Sequence, residues 1–196
     1  MGRKAFLLVV VVVLTACGSP PAGPTPHPTA DIATEEAAVY SAAIEVYLGG
    51  APDPLVLADR TALDMGSDIT STLDSVAQQL TGVAPETLVG FKARNDQAYA
   101  LRTDMALPFR YLLLSSQEEG AFFQPNGGGW DRFYEQYSNA QGIMRLSRVG
   151  FNGDMTQALV YAGNQSHYLA GAGVYYLLAK EDGSWHVVAE MMVWIS

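Results

Sequence analysis

Three turn signals cut the C-terminal part of the chain into four apolar runs, and this pattern limits the possible folds more than any other feature. The first run starts at about Ile143 and ends at Phe151, and Asn152-Gly153-Asp154 leads into a second run over residues 155–162. Gly163-Asn164-Gln165-Ser166-His167 reads as a longer turn into residues 168–180, and Glu181-Asp182-Gly183 closes a last hairpin before residues 184–195. Asn-Gly and Asp-Gly pairs accept the positive φ that tight hairpins require, so the runs read as strands of one antiparallel sheet. In the last strand Trp185, Val187, Ala189, Met191, Val193 and Ile195 alternate strictly, which assigns them to one core face. His186, Val188, Glu190, Met192 and Trp194 fall on the other. Gly171 and Gly173 inside the third strand mark a bend, a bulge or a close backbone approach.

Upstream, the spacing predicts a helix over residues 31–48. Asp31 caps it, Glu35 and Glu36 suit its N-terminal end, and Val39, Tyr40, Ala43, Ile44, Val46, Tyr47 and Leu48 recur at helical intervals before Gly49-Gly50. Residues 54–61 read as a short strand whose prolines predict a sheet edge. A second helix starts at Ser67-Asp68 or Thr70 and runs through Leu80, and Pro85 opens a third that ends near Arg94. Phe109 to Leu114 is a strand bounded by Ser115-Ser116, and Trp130 to Tyr137 is a short aromatic helix behind a Gly127-Gly128-Gly129 hinge. The expected fold class is therefore α+β, with N-terminal helices packed on a C-terminal, curved, antiparallel sheet of four or more strands. A chain of 196 residues, less its leader, suffices for a single domain over residues 31–196.

The leader is equally legible. Arg3 and Lys4 precede an unbroken apolar run over residues 5–14, about half of the roughly 20 residues a membrane-spanning helix needs, so the run is an export signal. Leu14-Thr15-Ala16-Cys17 resembles a bacterial lipobox. The resemblance implies cleavage after Ala16, a signal peptide over residues 1–16, and acylation of Cys17. Cys17 is the only cysteine in the chain, and a lone cysteine in an exported protein is better explained as an anchor than as half a bridge. Residues 17–30 hold Pro20, Pro21, Pro24, Pro26 and Pro28 and form a tether of roughly 40 Å in polyproline geometry.

Loss of Arg3 and Lys4 takes the formal charge from −9 to −11, a balance that excludes nucleic acid as a partner. The expected partners are the lipid bilayer, through acylated Cys17, and an envelope protein. The expected location is the cell envelope, on the extracytoplasmic side of a membrane.

Reactive chemistry is sparsely written. No nucleophile elbow, zinc-binding helix, P-loop or dinucleotide fingerprint is present, and no cofactor is implied. Arg148, His186 and Glu190 are the candidate pocket residues. An arginine in an apolar strand either ties a structural network together or faces an anionic ligand, and His186 and Glu190 share a strand face by spacing. Ser166 and His167 are adjacent, which seldom lets two side chains meet. Zinc would require three ligands where only His167, His186 and a carboxylate are at hand, so no metal is expected. Arg94-Asn95-Asp96 is a polar turn after a helix.

Trp130, Phe133, Tyr137, Ser147-Arg148-Val149-Gly150-Phe151-Asn152, Gln157-Ala158-Leu159-Val160-Tyr161 and Asp182-Gly183-Ser184-Trp185 together resemble a family of uncharacterised bacterial exported proteins over about the last third of the chain. That resemblance brings no activity with it. The last hairpin is also similar to that of the NTF2-like or cystatin-like cone, which implies a curved sheet wrapping a helix. The function expected is a membrane-anchored lipoprotein whose domain binds or builds envelope structure. The alternatives are an extracytoplasmic hydrolase around Arg148, His186 and Glu190, and a cone-type carrier of a small ligand.

Overall fold

The computed structural model of the chain describes residues 31–62 and 68–196. The signal peptide, Cys17, the tether and the Ser67 start of the second helix lie outside the described residues. The elements are α1 (Ile32–Leu48), β1 (Leu55–Ala58), α2 (Ile69–Gln79), α3 (Pro85–Arg94), β2 (Tyr111–Leu114), α4 (Ser116–Phe123), α5 (Gly129–Gln136), β3 (Ile143–Leu146), β4 (Gly150–Phe151), β5 (Gln157–His167), β6 (Ala170–Glu181) and β7 (Ser184–Ile195). The fold is α+β. Among the described residues seven strands form one mixed sheet in the order β2-β1-β3-β5-β6-β7, and β4 pairs with β5 off that path.

Helix ends follow local chemistry. The Asp31 carboxylate accepts from the Ala33 N–H at 3.2 Å, and Gly49 ends α1 in the left-handed region at φ 69°. Asp68 caps α2 by accepting from the Thr70 and Ser71 N–H groups, and Pro85 opens α3 where no N–H is needed. The sequence reading missed α4, although Ser115 and Glu118 form a reciprocal capping box at its start.

Both faces of the sheet are covered. Tyr40, Ile44 and Val39 of α1 pack on Leu57, Met144, Val160, Tyr176 and Leu178 on one face. On the other, Leu73, Val76, Leu80 and Phe91 of the α2–α3 pair cover Leu159, Tyr161, Tyr175 and Leu177. Beside them, Phe122, Trp130 and Phe133 of α4 and α5 cover Val56, Leu114 and Ile143. Burial on both faces explains why β5 and β6 read as near-continuous apolar runs rather than alternating ones. The last hairpin expected from the turn at Glu181-Asp182-Gly183 is there as β6–β7. Around it, however, the sheet stays open and carries helices on both faces.

Several expectations give way to packing. β1 is no edge: it pairs in parallel with both β2 and β3, and Pro54 precedes the first paired residue, so no ladder bond is lost. The sheet is accordingly mixed rather than antiparallel throughout. Residues 143–151 form two strands, broken over residues 147–149. Residues 163–167 are not a turn but the end of β5, because Gly163, Asn164 and Gln165 find partners in Gly173, Ala172 and Gly171, and the turn falls at Tyr168 and Leu169.

Strict alternation also fails in β7. Leu177 pairs with Ala189 but Leu178 with Val187, which leaves Val188 as an extra residue; a second shift follows between Gly173 and Val174. Trp185 and Val187 therefore pack with α1, whereas Ala189, Met191 and Val193 pack with α2 and α3. The glycines of β6 mark close approach: a Cβ on Gly173 would stand 2.0 Å from the Trp194 Nε1. That indole N–H donates to the Tyr161 hydroxyl at 2.8 Å.

A second close approach positions the candidate site. A Cβ on Gly150 would lie 2.3 Å from the Phe91 Cα, and one on Gly90 would lie 2.2 Å from the Phe151 carbonyl oxygen. With no side chain on either surface, α3 lies directly on β4, and its C-terminal end reaches the strand break at 147–149.

Candidate functional site

Glu36 stands on the buried stripe of α1, one turn before Tyr40 and two before Ile44 and Ala43. It is only 7% exposed, and a carboxylate taken so far out of water must be paired. Arg148 meets it with two donors, Nε at 2.7 Å and Nη2 at 2.9 Å, one to each carboxylate oxygen. Arg94 Nη2 donates at 3.2 Å and the Val149 N–H at 3.0 Å. The Tyr40 hydroxyl lies 3.2 Å from the same oxygen and donates to the Ser147 carbonyl at 2.8 Å.

Burial pushes the Glu36 carboxyl up, but hydrogen bonds from Arg148 and the Val149 N–H, with the charges of Arg148 and Arg94, outweigh it and hold the group below its ordinary value of 4.5. The Tyr40 phenol moves the other way: burial and the adjacent Glu36 charge hold it well above 10, so it remains a donor. The Glu36 hydrogen bond raises Arg148 still further, and the guanidinium also sits 5.7 Å from the Tyr99 ring centroid.

The strand break that presents Arg148 is paired by one side chain. Asn95, 3% exposed at the end of α3, accepts from the Arg148 N–H at 2.8 Å and donates to the Arg148 carbonyl at 2.9 Å. It thus replaces the two bonds a neighbouring strand would supply. Next to Glu36, Glu35 accepts from Lys180 Nζ at 2.6 Å and from Trp185 Nε1 at 2.7 Å. The first turns of α1 are thereby tied to α3, to the break and to the last hairpin.

Above this network a cleft of about 150 Å³ opens between the start of α1 and residues 100–106. Glu36, Tyr40 and Arg148 line its floor, and Asp31, Arg102 and Met105 its walls. Arg102 and Asp104 pair across the rim at 2.9 Å, and the Asp31 carboxylate is occupied by the helix cap. Most of the charged groups around the cleft are engaged with one another. Such a site holds a fixed shape, its carboxylates and guanidinium groups committed to one another.

Of the sequence-predicted pocket residues, only Arg148 is here. His186 pairs with Ala179 and Glu190 with Tyr176, and both are exposed on β7. The Val188 bulge between them turns the strand over, so they lie on opposite faces of the sheet and do not converge. Arg94 and Asn95 belong to the network, while Asp96 only accepts from Tyr99. The Ser166 hydroxyl donates to the Ala170 carbonyl, and His167 stacks 6.5 Å from Trp130, so these two make no nucleophile–base pair. Among the described residues no group of three or more His, Cys, Asp or Glu side chains is arranged to hold a metal ion. Glu36 itself was missed, although an acid in line with an apolar helical stripe asks for a cation, and Arg148 in an apolar run answers it.

No protein-family model, no curated protein and no solved structure matches this chain.

Proposed function

We propose that the chain is a lipid-anchored extracytoplasmic binding domain of the bacterial envelope, held on a membrane by acylated Cys17. The observation that carries this reading is Leu14-Thr15-Ala16-Cys17 directly after an apolar leader, with Cys17 the only cysteine in the chain. Each buried methylene of an acyl chain contributes roughly 0.8 kcal/mol, so two or more chains give a durable anchor. The binding part of the reading is supported by the cleft over Glu36 and Arg148. Asp31 is at once its wall and the first residue after the tether, so a ligand in the cleft lies within tether length of the bilayer.

The test is labelling with a palmitate analogue followed by fractionation. The wild-type chain is expected to take up label and sediment with membranes, and a Cys17→Ser variant to do neither. Equal labelling of both would refute the anchor.

A further inference from the structure

A second concave site lies on the opposite face of the sheet, between the α4–α5 pair and the β5–β6 hairpin. Its volume is about 310 Å³, at the low end of the roughly 300–1,000 Å³ of small-ligand pockets. Phe123 and Tyr168 give it aromatic walls over the buried Trp130, and Glu119, Arg145 and Gln165 supply its polar groups.

The construction is specific. β5 shifts register between Gln165 and His167, a bulge of the kind that re-aims side chains beside sites. The Tyr134 hydroxyl fixes this bulge by donating to the Ser166 carbonyl at 2.7 Å. Tyr168 then crosses to the start of α5, where its hydroxyl occupies the space a Cβ on Gly129 would need, 2.1 Å away, and Gly129 has φ +60°. Tyr168 is nevertheless 60% exposed and its neighbour Leu169 84%. A tyrosine held across a pocket mouth while presenting its ring to solvent is a wall awaiting a partner.

The charge balance narrows the ligand class. Arg145 Nη2 donates to Glu119 Oε1, so the one cation and the one anion of the pocket neutralise each other. Glu119 Oε2, the Gln165 amide and the Tyr168 hydroxyl have no hydrogen-bond partner among the described residues. A phosphate or carboxylate would meet no uncompensated cation here, and a quaternary ammonium would meet Arg145. Flat aromatic walls beside unspent donors and acceptors fit a neutral ring with an apolar face and a rim of hydroxyls.

We propose that this pocket binds a neutral sugar ring, with Tyr168 and Phe123 against its apolar face and Gln165, Glu119 and Arg145 at its hydroxyls. The inference goes beyond the anchored-domain reading and does not depend on Cys17.

It is tested by ligand-observed NMR titration of the full chain in a detergent without a sugar headgroup. The probes are methyl β-glucopyranoside, N-acetylglucosamine and its tetramer, with choline and adenosine as the other ligand classes. At least one of the sugars is expected to saturate the protein, and Tyr168→Ala and Gln165→Ala are each expected to weaken it about tenfold. Both substitutions lie at the surface end of the hairpin, and unchanged circular dichroism checks that the variants are folded. Failure of every sugar to saturate below about 100 mM would overturn the proposal. Saturation unchanged in both variants, or saturation by choline or adenosine alone, would overturn it as well.

Discussion

Arg148 and Glu36, 112 residues apart in the chain, share a two-donor ion pair that joins the first turns of α1 to the break between β3 and β4. Glu36 is buried and Arg148 mostly so, which makes the loss of either partner costly: Glu36 would keep only the longer Arg94 contact, and Arg148 would lose both of its carboxylate bonds. Arg148→Ala is expected to lower stability by about 3 kcal/mol, below the top of the range for buried pairs because the guanidinium keeps some solvent contact. A urea-denaturation cycle over Arg148→Ala, Glu36→Gln and the double variant should show a coupling of about 1–3 kcal/mol. Additive losses would mean that the two side chains do not act as a pair.

Acid should loosen the same tie. The folded-state value of Glu36 lies below its ordinary 4.5, so the stabilisation it gives is complete above that value and is lost as pH falls from there through the lower, folded-state value. Glu35 adds to this in the same direction: burial opposes its ionisation, but the hydrogen bonds from Lys180 and Trp185 prevail. Urea midpoints measured from neutral pH downwards should fall steeply in this window for the wild type. Glu36→Gln should start less stable and show a shallower acid slope, and an unchanged slope would assign the acid sensitivity elsewhere.

The contact of α3 with β4 leaves no room for a methyl group. Gly150→Ala would drive its Cβ into the Phe91 backbone, which cannot rotate aside, and should cost about 3 kcal/mol or more by thermal or urea denaturation. Because this contact also carries Asn95 to Arg148, hydrogen exchange at the Arg148 N–H should speed up in the same variant.

Gly173→Ala should cost about 1–3 kcal/mol by displacing the Trp194 indole from its bond to Tyr161. Tryptophan emission should shift in this variant. A Trp194→Phe background, which removes the indole, should abolish the emission shift and shrink the penalty.

Helices were legible wherever caps and apolar stripes agreed, as at Asp31, Asp68 and Pro85, and α4 was readable too from Ser115 and Glu118. The turns at Asn152-Gly153 and Asp182-Gly183 were equally plain. What the sequence did not carry was pairing: that β1 lies inside the sheet, and that two bulges turn β7 over, are decided by partner strands far away in the chain. The site followed the same rule. Arg148 stood out as a charge in an apolar run. Its partner Glu36 looked like an ordinary helix-start acid, because only the tertiary fold puts α1 against the strand break. His186 and Glu190 seemed to share a face until the Val188 bulge separated them.

The anchored-domain reading stands or falls on the state of Cys17, and the most direct measurement is mass spectrometry of the N-terminal peptide of the mature chain purified from membranes. The account predicts a chain that begins at Cys17 and carries acyl mass on that residue. A mature chain beginning at any other residue, or a Cys17 with a free thiol, would contradict it.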